Sequence, residues 1–193
     1  MLRYEVLLDL PAYGPMPLPF SAGEWAGAWG GHREGLVVRF HPNTGEAWVG
    51  NFQPGSSGWE GVLEHPNGQH LIVVARGQGY VVDPEGHQLL SRLSGNIQHV
   101  VPLPELGALV FSGGLGFEAI KKDGIWWQSP RISWDEIRNI KVEGTILRGE
   151  ASTPTPDGNK WAPFTVDLMT GQCEGGIYQD QIRRAIPVKP SRG

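Results

Sequence analysis

The side chains able to do chemistry are few and scattered: six histidines, one cysteine (Cys173) and twenty carboxylates in 193 residues. His41 and His65 each stand directly before Pro-Asn, a turn-forming context that places a ring at the surface rather than in a reactive cluster. His32, His70, His87 and His99 lack the i, i+4 spacing of zinc hydrolases and the short spacing of zinc fingers, so no metal site is expected. Gly55-Ser-Ser-Gly58 approaches the Gly-x-Ser-x-Gly nucleophile elbow but is predicted to lie between strands, where that elbow does not form. Asp135 and Glu136 are adjacent, so their carboxyl groups diverge in a strand or a helix instead of facing one bond. Gly77-Gln-Gly79 and Gly113-Gly-Leu-Gly116 lack the full dinucleotide fingerprint and the Lys-Ser/Thr of a phosphate loop. Asp157-Gly158-Asn159 is too short for a calcium loop. This inventory assigns no catalytic residue, metal or cofactor, and it points away from an enzyme.

Eight tryptophans are the most unusual feature of the composition. Trp is large, rigid and amphipathic, so it serves either as packing between sheets or as an anchor in a binding surface. Trp126 and Trp127 are neighbours and must point to opposite faces of a strand, so they cannot fill one layer. Trp134 with Asp135 and Arg138 forms a mixed aromatic and charged set of the kind interfaces use. Together with Trp161 and Trp126, these residues are the candidate binding surface.

The elements that must position them repeat. Leu71–Ala75, a Gly turn, Tyr80–Asp83, Pro84-Glu-Gly86 and His87–Leu93 recur as Leu109–Phe111, a Gly turn, Phe117–Ile120, Lys122-Asp-Gly124 and Ile125–Gln128. Gly77, Gly79 and Tyr80 match Gly114, Gly116 and Phe117, a period of about 37 to 38 residues. With leading strands at 61–64 and 97–101, each copy is a meander of about four strands. The rest of the chain fits more loosely, with strands near 3–10, 25–29, 36–40 and 47–52, and again near 140–142, 145–151, 161–168 and 173–178.

The prediction is one all-β domain: a small β-propeller-like repeat of about four antiparallel meanders, in units near 2–53, 59–93, 97–132 and 138–178. The alternative is an open, curled antiparallel sheet. Ser133-Trp-Asp-Glu136 has the form of a capping box and predicts a short helical turn. The spacing of Tyr178, Ile182, Ala185 and Ile186 predicts a short C-terminal helix, stopped by Pro187 and followed by a tail at 187–193.

A net charge of −4 argues against a dominant attraction to nucleic acid or anionic lipid. The longest apolar run, Leu71–Ala75, is far short of the roughly 20 residues that span a bilayer. The opening Met-Leu-Arg-Tyr-Glu-Val lacks the pattern of a secretory signal, and a lone cysteine forms no internal disulfide, so cytoplasmic residence is expected.

Trp134-Asp-Glu-Ile-Arg138, Gly149-Glu-Ala151, Trp161-Ala-Pro-Phe-Thr-Val-Asp-Leu168, Thr170-Gly171 and Gly175-Gly-Ile-Tyr178 resemble a C-terminal signature of uncharacterised bacterial proteins. The resemblance covers about the last third of the chain and implies a constrained bacterial module with no transferable catalytic residue. The functional expectation is a non-enzymatic protein-binding module, such as a toxin-neutralising or regulatory partner. The alternative is an enzyme or small-ligand receptor with its site at the mouth of the repeat.

Overall fold

The computed structural model describes residues 2–21, 34–56, 58–93 and 95–177. Sixteen strands in it form four four-stranded sheets. The first contains β1 (Tyr4–Leu7), β2 (Leu18–Phe20), β3 (Leu36–Phe40) and β4 (Trp48–Phe52), in the order β1-β3-β4-β2. The second is the meander β5 (Gly61–Glu64), β6 (Leu71–Ala75), β7 (Gln78–Asp83) and β8 (Gln88–Arg92). The third is β9 (His99–Leu103), β10 (Ala108–Ser112), β11 (Phe117–Lys121) and β12 (Gly124–Gln128). The fourth is β13 (Ile137–Glu143), β14 (Ile146–Thr155), β15 (Gly158–Asp167) and β16 (Cys173–Gly175). None is closed into a barrel, and the all-β repeat expected from the sequence is present.

The chain divides into two compact units, Met1–Gly113 with Ile120–Gly124, and Gly114–Ala119 with Ile125–Gly193. In the first unit, β6 explains how the sheets are held. All five of its residues are buried. Leu71, Val73 and Ala75 pack with Phe40, Trp48, Phe52 and Tyr80 in one core. Ile72 and Val74 point the other way, into a second core with Ile97, Leu109, Phe111 and Ile120. A strand covered on both faces needs apolar residues at every position, which is why this segment reads as a continuous apolar run rather than an alternation. Each of Leu71, Ile72, Val73 and Val74 contributes roughly 1.5–3 kcal/mol of burial.

The matched glycines have matched structural roles. Gly77 and Gly114 each sit at φ +87°, in turns where a side chain would be strained. Gly79 and Gly116 leave no room beside the strand that follows. A Cβ would come within 2.8 Å of the Leu93 Cβ at the former and of the Ser129 Oγ at the latter.

Three expectations are corrected. The fourth strand of the first sheet is Leu18–Phe20, inside the Pro-rich stretch, and it runs parallel to β4 as an edge, where Pro19 is tolerated. Residues 133–136 form no helix, because Ser133 Oγ donates to the Glu136 carbonyl and accepts the Ser152 N–H. Ile137 instead starts a strand. The strands expected near 145–151 and 161–168 reach further toward each other: β14 and β15 pair without interruption from Ile146↔Asp167 to Thr155↔Gly158. The strand expected at 25–29 and the C-terminal helix lie outside the described residues. No helix among the described residues is long and apolar enough to cross a membrane.

Candidate functional site

In the second unit, strand alternation sorts the fourth sheet into two faces. Ile137, Leu147, Ala151, Phe164 and Val166 are buried on one side. Arg138, Glu150 and Trp161 lie on the other. Arg138 is paired in register with Glu150, and Ser152 with Trp161, which places all four on the same side of the pleat.

Arg138 lies over the Trp161 ring, with its Cζ 3.6 Å from the centroid. Its Nε donates to Glu150 Oε2 at 2.9 Å. Glu150 also accepts from Asn139 Nδ2 at 2.6 Å. These hydrogen bonds, from Asn139 first and Arg138 second, hold the Glu150 carboxyl below its ordinary range. Asn139 reaches it from a left-handed conformation, φ +54°, where the β13–β14 register slips between Arg138 and Lys141. The bulge therefore brings two donors onto one carboxylate. The terminal guanidinium nitrogens of Arg138 make no hydrogen bond among the described residues.

Trp134 lies in the segment that precedes β13. Its backbone N–H donates to the Ser152 carbonyl at 2.9 Å. Its side chain remains 50% exposed, which is high for a tryptophan. The Arg131 guanidinium sits 5.3 Å from its ring centroid and hydrogen-bonds the Ser133 and Trp134 carbonyls. Asp135 Oδ1 accepts the Ser152 hydroxyl at 2.6 Å, and Ser152 Oγ in turn accepts the Glu136 N–H at 3.1 Å. Asp135 is thus a pin for the segment that carries Trp134.

Of the five candidates the structure brings Arg138 and Trp161 into contact, and it joins Trp134 and Asp135 to Ser152 on β14, the strand between them. Trp126 lies half-buried on β12, tilted against Trp127 with ring centroids 6.2 Å apart. Trp127 is buried and donates its indole N–H to the Leu168 carbonyl at 2.8 Å, so it packs. Glu150, Asn139, Arg131 and Ser152 complete the cluster. Asn139 stands just before the strand expected at 140–142, and an Asn tolerates the left-handed conformation of a bulge, which was the available signal for it.

The arrangement can offer an aromatic surface and a positioned guanidinium. Ser152, whose hydroxyl is bonded to Asp135, is fully buried and also accepts the Glu136 N–H, and no group of three metal-ligating side chains occurs among the described residues.

No family model matches the sequence, and no curated protein matches it either. Among solved structures, the chain is similar to a crystal structure of a eukaryotic initiation factor, at a TM-score of 0.38 and 10% identity. That likeness covers 74% of this chain and spans 40% of the other.

Proposed function

We propose that this chain is a non-enzymatic bacterial protein-binding module, acting in the cytoplasm as a toxin-neutralising or regulatory partner on a propeller-like scaffold. The observation that carries the reading is the Arg138–Trp161 stack, in the same sheet that holds the segment of exposed Trp134 through Ser152. Trp and Arg dominate the energetics of protein interfaces, above all when their conformations are fixed before binding. Trp161 and Glu150 hold Arg138 in place and leave its terminal N–H groups for an acceptor on the partner, a carboxylate in the simplest case.

The test is affinity capture from a bacterial lysate, followed by calorimetry with the captured protein after purification. Trp134→Ala, Arg138→Ala and Trp161→Ala should each weaken binding by roughly 30-fold or more, the level of an interface hot spot. Trp126→Ala should bind like the parent. Equal binding by all four variants would overturn the assignment of this face.

A further inference from the structure

The hairpin that carries Trp161 outruns the strands on either side of it. β14 and β15 are ten residues long and pair along their whole length. β13 follows β14 no further than Ala151, and β16 follows β15 no further than Phe164. Residues 152–161 therefore include a two-stranded arm beyond the four-stranded part of the sheet. On such an edge the N–H and C=O of alternate residues point outward, a template for one more strand.

The two edges of the arm differ. On β14 the outward groups belong to Ser152 and Pro154. The Ser152 N–H donates to the Glu136 carbonyl, and the Ser152 carbonyl accepts the Trp134 N–H. Pro154 has no N–H to offer, so this edge is closed. On β15 the outward residues are Asn159, Trp161 and Pro163, in step with Asp167, whose N–H donates to the Gln172 carbonyl on that side. The Pro163 carbonyl accepts the Gly176 N–H, after which Ile177 donates to Ile132 and the chain has left the edge. The backbone groups of Asn159 and Trp161 have no hydrogen-bond partner among the described residues.

Charge selects what pairs there. Lys160, between these two residues, is exposed and makes no ion pair among the described residues. The Arg138 guanidinium, carried by β13, reaches across β14 to lie on the Trp161 ring of the open strand. Lys160 and Trp161 point to opposite faces of the pleat, so two consecutive carboxylates on an incoming strand would meet Lys160 on one face and Arg138 on the other. Asp157, exposed in the turn, favours an uncharged residue beyond them. A second copy of this chain fits badly. The antiparallel register that sets Asn159 of each copy against Trp161 of the other uses every outward group, but it places Lys160 opposite Lys160, and like charges so placed oppose pairing.

We propose that β15 accepts an added strand at Asn159–Trp161 from an extended acidic segment of a partner protein. The inference rests on the protein-binding reading above and names the kind of segment that reaches the Arg138–Trp161 stack. Main-chain bonds supply the pairing and the two carboxylates supply the selectivity.

The probe is the peptide acetyl-Val-Thr-Glu-Glu-Thr-Val-amide. One control is its fully N-methylated counterpart, which keeps the charge and removes every backbone donor. The other carries Lys-Lys in place of Glu-Glu. Titration of the full chain, followed by ¹⁵N–¹H spectra, should give saturable shifts at the Asn159 and Trp161 amides and slow their hydrogen exchange. The N-methylated peptide should slow neither. The Lys-Lys peptide should bind at least about 10-fold more weakly, since two opposite-charge pairs become like-charge pairs. Lys160→Glu should narrow that preference. Asn159→Pro removes one outward N–H and no bond of the β14–β15 ladder, and should weaken binding about 5-fold, the value of one net hydrogen bond. The N-methylated peptide makes the same comparison in the unaltered protein, whether or not Asn159→Pro folds. No saturable shift at the two amides, equal binding of the N-methylated peptide, or equal binding of the Lys-Lys peptide would overturn the proposal. Each of those results leaves the tryptophan face standing on its own losses against the captured protein, whose absence would be the separate failure of that reading.

Discussion

The indole N–H of Trp48, at the start of β4, donates to the carbonyl oxygen of Pro84 across 2.8 Å and ties the first sheet to the turn after β7. Within the second unit, Trp127 makes the same 2.8 Å bond to Leu168, in the turn after β15. The acceptor turns are also alike. Asp83 caps one by accepting the Glu85 N–H, and Asp167 caps the other by accepting the Met169 N–H. Each turn is a side-chain-closed Asx turn that fixes a carbonyl for an indole. Replacing Trp48 or Trp127 by Phe should lower the unfolding free energy by roughly 1–3 kcal/mol, the cost of a buried acceptor left unpaired. Urea denaturation measures it. A loss below about 0.5 kcal/mol would show that the latches are incidental.

Two glycines of similar backbone conformation should respond differently to alanine. Gly45, φ +97°, has open space where a Cβ would lie. Gly58, φ +111°, would place it 2.2 Å from the Ile97 carbonyl oxygen. Gly45→Ala should cost only its conformational strain, about 1–3 kcal/mol. Gly58→Ala should cost at least about 2 kcal/mol more, because backbone must move as well. Thermal unfolding of the pair separates strain from collision, and equal melting temperatures would contradict the geometry.

His65 makes stability depend on pH. Its folded form resists protonation, while the unfolded chain protonates near the ordinary value of 6.5. Below that pH the unfolded state binds more protons than the folded one, so its contribution is complete above about pH 6.5 and declines as the pH falls. The urea midpoint should therefore drop from neutral to mildly acidic pH by more in the parent than in His65→Gln. Parallel pH profiles would remove His65 as the cause.

Burial pushes the Cys173 thiol up to about 11. The thiolate is the reactive form, so the native protein should react slowly with a disulfide reagent at mildly alkaline pH and rapidly in urea. Similar rates in both conditions would mean that the strand carrying Cys173 opens readily.

How far these features were legible follows from how local their causes are. The second sheet was read nearly residue for residue, because an apolar run, a Gly turn and a second run are sufficient to specify a hairpin. Ser133–Glu136 misled for the same reason: Ser-x-x-Glu is a local helix signal, but the partner that claimed the Ser133 hydroxyl was Ser152, on β14. The parallel pairing of Leu18–Phe20 with β4 likewise depends on a long-range contact made by an edge that tolerates proline. The candidate site shows the same limit. Trp134, Asp135, Arg138 and Trp161 could be named from residue type, whereas Glu150 and Asn139 join them only through strand register and a bulge.

What the sequence determined by itself was the all-β class and the repeat, since each rests on a period of two or on a turn residue with one permitted conformation. Tertiary structure decided which tryptophans latch and which remain exposed, how Arg138 comes to lie on Trp161, and that His65, which stands in its expected turn, is buried there instead of exposed. Those outcomes depend on which strand meets which. Pairing between residues far apart along the chain is set by the packing of whole sheets, which no local pattern encodes.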